Sequence, residues 1–319
     1  MNVLITGGAG FIGSYLSEEI LKRKNKVFVI DNLSTGSFQN ISHLIKNKNF
    51  NFVYETILNE NVMDRLISNV DWVIHLAAAV GVELIVKDPV NVIETNILGT
   101  EVVLKATNRY KRKLFIASTS EVYGKNNKVP FKEDDDSIYG PTVKSRWSYA
   151  CSKAIDEFLA LAFYKEYNLP VVIGRLFNTV GPRQTGKYGM VFPRFVERAL
   201  KGETLYVYGD GKQTRCFCCV YDTVEAIIKL MESTNTIGEI FNIGTSDEIS
   251  IFQLAKKIIK KTKSNSKIEF LSYDEAYEKG FEDMQRRVPN TQKIKKFIGF
   301  EPKYNLDDIL VIMIDYYKK

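Results

Sequence analysis

Short apolar segments alternate with longer amphipathic segments through the first half of the chain. Runs of consecutive apolar residues, bounded by polar residues or glycine, predict buried strands. These strands are predicted at residues 3–6, 26–30, 50–54, 72–76, 113–118 and 170–174. Between the first two, apolar residues recur at helical spacing and predict a helix over residues 11–24. The pattern therefore predicts repeated strand–helix units.

Strands that are apolar throughout, rather than on alternate positions, are typical of a parallel sheet covered by helices on both faces. After about residue 177, glycine and proline become frequent and the predicted elements become shorter. We therefore predict an α/β protein. A doubly wound parallel sheet of the Rossmann type spans residues 1–176, with a returning segment near residues 220–245. A smaller C-terminal α/β lobe over residues 177–319 binds substrate.

The composition is that of an ordinary globular protein. The 319 residues are 45% hydrophobic and 26% charged. The chain contains no uncharged apolar run of about 18 residues, as a membrane span requires, and no secretion signal is evident, so we expect a cytoplasmic protein without a membrane partner. The net charge of +6 is mild. Since no basic stripe is interleaved with aromatic residues, we expect no nucleic-acid partner either.

Three of the four cysteines are crowded into the segment RCFCCVYD, at Cys216, Cys218 and Cys219. The segment is strand-like, and neighbouring residues of a strand point to opposite faces, which is poor geometry for a shared zinc ion. We therefore expect buried free thiols and no metal site.

A glycine-rich turn lies between the first strand and the first helix, in the sequence TGGAGFIG. Gly7, Gly10 and Gly13 permit a tight turn, close backbone approach and close helix packing, and the helix N-terminus can bind a pyrophosphate. Asp31 ends the second strand, where its carboxylate can accept a hydrogen bond from a ribose hydroxyl. A carboxylate there would repel a 2′-phosphate, so NAD is favoured over NADP. The alternative is a purely structural turn in which Asp31 caps a helix.

Tyr149 and Lys153 are four residues apart in a segment predicted to be helical. That spacing places both side chains on one face. A neighbouring ammonium, together with a positive nicotinamide ring, would lower the pKa of the phenol and let it exchange a hydroxyl proton near neutral pH. Thr119 follows a strand end and can hydrogen-bond the same substrate hydroxyl. Without other evidence, a tyrosine and a lysine four residues apart are equally typical of an exposed helix surface.

Several motifs together make the chain resemble the extended short-chain dehydrogenase/reductase family of nucleotide-sugar epimerases, dehydratases and decarboxylases. They are GGAGFIG at 7–13, DNLSTG at 31–36, HLAA at 75–78, NILGT at 96–100, STSEVYG at 118–124, YACSK at 149–153, RLFNTVGPR at 175–183, YGDGKQTRCF at 208–217 and RVPNTQKI at 287–294. The resemblance implies a bound NAD and a nucleotide-sugar substrate, most like a UDP-sugar.

The resemblance also implies roles for particular residues. Tyr149 would remove the proton of the sugar 4-hydroxyl while hydride passes from C4 to NAD, Lys153 would lower the tyrosine pKa and hold the nicotinamide ribose, and Thr119 would orient the hydroxyl. The residues expected to contact NAD are Gly7, Gly10, Phe11, Ile12, Gly13, Asp31, Asn32, Leu33, Ser34, Thr35, Gly36, Ile57, Leu76, Ala77, Ala78, Asn96, Ala117, Ser118, Tyr149 and Lys153. Those expected to contact the substrate are Ser120, Asn178, Val191, Arg215 and Arg287. Arg183, Lys187 and Arg194 are candidates for an acidic substituent. Family members often form dimers through two helices, here near residues 96–108 and 148–166.

The reaction after C4 oxidation stays open between three branches. Glu121 distinguishes them: it is a candidate C5 base in a 4,6-dehydratase, a group near C6 in a decarboxylase of a UDP-uronic acid, or a structural carboxylate. Overall, the motifs most resemble UDP-sugar 4-epimerases, so we expect an epimerase, with a UDP-glucuronate decarboxylase next and a dehydratase third. A non-catalytic NAD-binding regulator is the alternative of another class, although both Tyr149 and Lys153 are present.

Overall fold

The computed structural model describes residues 1–81, 84–85, 88–186, 190–276 and 282–318. Lys187 lies outside these described residues. Seven parallel strands form the main sheet, in the spatial order β11, β6, β5, β4, β1, β2, β3. The strands are β1 (Asn2–Thr6), β2 (Lys26–Asp31), β3 (Phe50–Tyr54), β4 (Trp72–His75), β5 (Lys113–Thr119), β6 (Val171–Leu176) and β11 (Glu239–Ile243). The predicted α/β fold and its parallel sheet are confirmed.

Helices cover both faces of this sheet. On β1, Val3 and Ile5 belong to one hydrophobic core and Leu4 to the other, because successive side chains of a strand point to opposite faces. The first core is covered by α1 (Phe11–Lys22), α6 (Val220–Glu232) and α9 (Gln292–Ile298), and the second by α2 (Glu60–Ser68), α3 (Pro89–Arg109) and α4 (Arg146–Tyr167). Burial on both faces explains why the strands read as unbroken apolar runs.

A third hydrophobic core holds together the elements of the C-terminal half. Its helices are α5 (Val191–Leu200), α7 (Ile251–Thr262) and α10 (Leu306–Tyr317), and the short helix α8 (Tyr273–Ala276) lies nearby in the chain. Three two-stranded sheets accompany them, formed by β7 (Thr179–Val180) with β10 (Cys218–Cys219), β9 (Thr214–Cys216) with β12 (Glu248–Ser250), and β8 (Leu205–Tyr208) with β13 (Ile268–Leu271). The division of the chain into two domains stays a prediction.

The cysteine segment does not form one strand. It divides into β9 and β10, and the helix α6 begins at Val220. Cys216, Cys218 and Cys219 are buried free thiols, as expected. Burial raises the pKa of each, to about 12, 12 and 11 respectively, so they stay protonated at neutral pH. No helix among the described residues is long and apolar enough to cross a membrane.

Candidate active site

The turn between β1 and α1 accepts only glycine at its critical positions. Gly7 has a φ of 69°, and a Cβ on it would lie 2.8 Å from the backbone nitrogen of Ala77. A Cβ on Gly13 would lie 2.4 Å from the carbonyl oxygen of Gly7. The first turn of α1 has no side-chain cap at Gly10. Backbone N–H groups and the positive end of the helix dipole thus remain available to a pyrophosphate.

Asp31 closes β2 beside this turn. Its carboxylate accepts hydrogen bonds from the backbone N–H groups of Ala9 at 2.9 Å and Leu33 at 2.8 Å. Burial raises the pKa of Asp31, and these hydrogen bonds oppose that effect. The glycine cradle and this fixed acceptor fit the pyrophosphate and adenosine ribose of NAD.

A cleft of about 710 Å³ extends from the glycine turn past the ends of β4 and β5 to the C-terminal half. Most residues expected to contact NAD line it: Gly7, Gly10, Phe11, Ile12, Gly13, Asp31, Asn32, Ser34, Thr35, Gly36, Ile57, Leu76, Ala77, Ala78, Ala117, Ser118 and Tyr149. So do Thr119, Glu121 and the expected substrate contacts Ser120, Asn178, Val191, Arg215 and Arg287. The fold therefore brings both sets to one cavity.

Three expected cofactor residues do not line the cleft. The side chain of Leu33 packs against the hydrophobic core instead. Asn96 is buried, and its amide bonds the backbone of Ala79 and the hydroxyl of Ser152, which joins α3 to α4. Lys153 is buried behind the cleft wall and pairs with Asp156. The sequence motif predicted that these residues lie near the cofactor site. It did not predict the direction of their side chains.

Tyr149 lies near the start of α4 and is 6% exposed. Its phenol interacts with the hydroxyl of Thr119, the last residue of β5. Burial raises the pKa of Tyr149, and the charges of Glu121 and Asp156 raise it further. In the protein without NAD, the direction is therefore opposite to the one expected of Lys153, and burial is the main cause. Lys153 is itself engaged by a carboxylate, with its Nζ atom 2.6 Å from Oδ2 of Asp156. The combined effect of Lys153 and the nicotinamide ring stays a prediction.

Glu121 lies in the 3₁₀ turn after β5, and both of its carboxylate oxygens are occupied. Arg146, at the first position of α4, donates to Oε2, and Nη1 of Arg287 lies 3.1 Å from Oε1. Although burial raises the pKa of Glu121, the two guanidinium groups outweigh it and lower the pKa to about 2. Glu121 is thus ionised at neutral pH and is a weak base.

A second carboxylate continues this cluster. Asp283 lies 2.8 Å from Arg215 and 3.5 Å from Arg287. Burial raises the pKa of Asp283, but the arginines outweigh it and lower the pKa. Arg287 is buried among these charges, and its pKa is lowered to about 10, which leaves it cationic at neutral pH. We call Glu121, Asp283, Arg146, Arg215 and Arg287 the arginine cluster.

Other predicted contacts have local structural partners. Asn178 has a positive φ of 35°, and its amide donates to the carbonyl of Cys216 at 3.0 Å. Arg183 lines the cleft and pairs with Glu18 at 2.5 Å. Arg194 stacks on the ring of Tyr208, 4.3 Å from its centroid. Arg194 lines the cleft as Arg183 does, so their expected contact with an acidic substituent stays a prediction.

Sequence reasoning missed Arg146, Asp156 and Asp283. Arg146 and Asp156 flank the Tyr149/Lys153 pair at helical spacing, and Asp283 precedes Arg287 by four residues. That spacing was a usable signal. However, helical charge pairs are common on protein surfaces, and only the fold shows that these are buried.

Known proteins similar to this chain point to the same kind of site. The model of the family described as "GDP-mannose 4,6 dehydratase" matches residues 4–313. UDP-N-acetyl-alpha-D-glucosaminuronate decarboxylase of Bacillus cytotoxicus is 44% identical, over 99% of this chain and 97% of that protein. UDP-glucuronic acid decarboxylase 1 of Xenopus tropicalis is 36% identical, over 99% of this chain and 72% of that protein.

Among solved structures, UDP-glucuronic acid 4-epimerase from Bacillus cereus, in complex with UDP-glucuronic acid and NAD, has a TM-score of 0.90 at 31% identity. The alignment covers 100% of this chain and 99% of that one. The relatives thus favour the decarboxylase alternative over the epimerase that the motifs placed first. The chain belongs to the GDP-mannose 4,6 dehydratase family, within the NAD-dependent extended short-chain dehydrogenase/reductases that act on nucleotide-sugars.

Proposed function

We propose that this protein is an NAD-dependent decarboxylase of a UDP-linked uronic acid, with UDP-N-acetylglucosaminuronate as the first substrate to test. The observation that carries the proposal is the arginine cluster, which adjoins the Thr119/Tyr149 pair in one cleft. The relative from Bacillus cytotoxicus, named for this activity, supports the choice of sugar.

The charge of the cluster suits a carboxylate substrate. Arg215 and Arg287 line the cleft, where their guanidinium groups are buried beside Glu121 and Asp283. Guanidinium groups bind carboxylates through paired, charge-assisted hydrogen bonds, so an anionic group entering the cleft would meet suitable donors. A uronic acid brings such a group at C6.

The same geometry argues against a dehydratase that uses Glu121 as a C5 base. A carboxylate with a pKa of about 2, engaged by Arg146 and Arg287, holds a proton poorly. Ser120 also stands where dehydratases of the dTDP-glucose type carry an aspartate. Glu121 is better suited to hold the two arginines in place beside the sugar.

The reaction needs a carbonyl at C4 before carbon dioxide can leave. When bound, NAD supplies the reversible hydride acceptor for C4. Tyr149 takes the proton of the 4-hydroxyl, and Thr119 orients that hydroxyl. The C5–C6 bond then breaks, carbon dioxide departs, and the electron pair moves to the C4 oxygen as an enolate. Tyr149 and Thr119 stabilise this oxygen by hydrogen bonding until C5 gains a proton from water. Tyr149 then returns its proton to the C4 oxygen as the hydride taken from C4 is given back, so the product is a pentose and no net redox change occurs.

Product analysis tests the proposal. The purified protein is incubated with UDP-N-acetylglucosaminuronate and, separately, with UDP-glucuronate, and the products are identified by NMR. We expect carbon dioxide and a UDP-linked pentose that lacks C6, with no net formation of NADH. A uronic acid inverted at C4 with C6 retained would establish the epimerase instead, and a 4-keto-6-deoxy sugar from a neutral UDP-hexose would establish the dehydratase. Absence of turnover with bound NAD would favour the regulator.

We also propose a homodimer that forms through α3 and α4. These helices pack against each other and carry exposed apolar side chains: Leu98 and Ile155 are each 45% exposed, and Phe158 is 75% exposed. Ile155 and Phe158 lie three residues apart, on one face of α4. A second copy would remove this surface from water.

A further inference from the structure

Asp156 occupies a position that affects the Tyr149/Lys153 pair directly. It lies on α4, three residues after Lys153, and its side chain is fully buried. Oδ2 of Asp156 accepts a hydrogen bond from Nζ of Lys153 at 2.6 Å. An ammonium has three N–H donors, so two remain for other partners. The pair is held inside the protein, where water screens charges little.

A series of buried polar groups leads from the main sheet toward this carboxylate. The hydroxyl of Thr6 lies 2.7 Å from Nδ1 of His75, and Nε2 of His75 lies 3.2 Å from the hydroxyl of Thr100. The side chain of Thr100 in turn interacts with Asp156. The backbone N–H of Ala77 already donates to the Thr6 hydroxyl, so that hydroxyl can direct its own proton to His75.

Burial raises the pKa of Asp156, whereas the charge of Lys153 and the hydroxyl of Thr100 oppose this effect. Burial, together with the nearby charge of Lys153, lowers the pKa of His75 to about 3, so the imidazole is neutral. A neutral imidazole that accepts at Nδ1 must donate at Nε2. Thr100 then accepts from His75 and is free to donate to the carboxylate. These groups come from β1, β4, α3 and α4, so the surroundings of the carboxylate are set by the sheet as well as by its own helix.

The charged groups around Tyr149 come from several elements. Glu121, from the turn after β5, and Asp156, from α4, both oppose formation of a phenolate. Arg146, at the start of α4, favours it, as does the hydrogen bond from Thr119. Lys153 would favour it too, and the carboxylate 2.6 Å from its Nζ atom opposes that effect.

We propose that Asp156 is a positioning residue that anchors Lys153 and neutralises its charge, and thereby sets the pH at which Tyr149 gives up its proton. The inference rests on the proposed function only in taking Tyr149 as the proton acceptor from the sugar. It does not depend on which sugar is used or on the later fate of the C4 ketone.

The test substitutes Asp156→Asn, which keeps an oxygen to accept from Lys153 and removes the charge. Tyrosine labelled with ¹³C at Cζ reports ionisation by NMR in NAD-free protein, and Tyr149→Phe identifies the resonance. We expect wild-type Tyr149 to stay protonated up to at least about pH 9. In Asp156→Asn the titration should move down by about one pH unit. The acidic limb of the pH–rate profile should move in the same direction.

Two variants serve as controls. Asp156→Glu keeps the charge and should titrate as the wild type does. Glu166→Gln removes the same charge from an exposed position on the same helix and should leave both profiles unchanged. The affinity for NAD, measured by calorimetry, should change with Asp156→Asn and not with Glu166→Gln, because only Asp156→Asn removes the ion pair that anchors Lys153.

An unchanged Tyr149 titration in folded Asp156→Asn overturns the inference. If that variant does not fold, the titration of the wild-type protein still tests the inference. A Tyr149 that ionises near pH 7 in NAD-free protein would contradict neutralisation of Lys153. These NMR readouts need no substrate. Failure of the proposed decarboxylase would therefore appear in the product analysis alone, and failure of this inference in the titration.

Discussion

The guanidinium of Arg287 lies 3.1 Å from a carboxylate oxygen of Glu121, and about nine-tenths of each side chain is buried. The two residues come from opposite halves of the chain and meet at the cleft. Their ion pair joins the strand that ends at Thr119 to the segment that comes after α8. The pair therefore couples the position of the arginine cluster to the packing of the two halves of the chain.

Glu121→Gln should destabilise the protein strongly, because it leaves Arg146 and Arg287 buried with too little negative charge. We expect the free energy of unfolding to fall by about 3 kcal/mol or more, measured by urea denaturation. Glu239→Gln is the matched control, since it breaks the more exposed pair with Lys293 and should cost less than about 1 kcal/mol. Equal losses of unfolding free energy in the two variants would contradict the burial of the Glu121–Arg287 ion pair.

The contribution of Glu121 to the free energy of unfolding should also depend on pH. Its pKa falls from the ordinary value of 4.5 in the unfolded chain to about 2 in the folded protein. The stabilisation is therefore fully present above pH 4.5 and is lost as the pH falls toward 2. The difference in unfolding free energy between wild type and Glu121→Gln should be constant between pH 6 and pH 7 and should shrink at about pH 3. A difference that grows on acidification would refute the assignment.

Tyr149→Phe should abolish sugar turnover while the protein still binds NAD. Loss of the proton acceptor is expected to lower kcat by about a thousandfold, since the phenyl ring fills the same space but cannot take the 4-hydroxyl proton. Calorimetric NAD affinity should stay within about threefold, a change below 1 kcal/mol. Tyr123→Phe is the control, since that buried hydroxyl donates to Asn242 away from the cleft. Full activity in Tyr149→Phe would show that another group moves the proton.

Gly13→Ala should prevent close packing of α1 on the glycine turn. The added Cβ would lie 2.4 Å from the carbonyl oxygen of Gly7, so the backbone would have to move to relieve the clash. We expect NAD affinity to fall at least tenfold, or about 1.4 kcal/mol. Gly186→Ala, whose Cβ would meet nothing closer than 3.4 Å, should bind NAD normally. Unchanged affinity in Gly13→Ala would place the pyrophosphate elsewhere.

Phe158→Glu should convert the proposed dimer into a monomer, because a carboxylate replaces the most exposed apolar side chain on α4. Light scattering after size-exclusion chromatography measures the mass. Tyr54→Glu, at an aromatic residue 69% exposed on another part of the surface, should leave the mass unchanged. A wild-type protein of 36.5 kDa in solution would contradict the dimer itself.

The sequence alone predicted those features that depend on neighbouring residues. Consecutive apolar residues located the strands β1 to β6 to within about two residues of their observed ends, and the glycines at 7, 10 and 13 predicted the turn after β1. Strand preference, helical spacing and backbone freedom are local properties, so a linear pattern records them. The motif similarities likewise identified the family.

The tertiary structure decided which side chains face each other and what charge each one meets. Only the fold places Arg146 and Arg287 on either side of Glu121, and only burial turns the Lys153–Asp156 spacing into a neutral pair. A pKa depends on burial and on charges within a few ångströms, and both are set by residues distant in the sequence. For this reason the residue types of the site could be predicted from sequence, whereas the ionisation of Tyr149 could not.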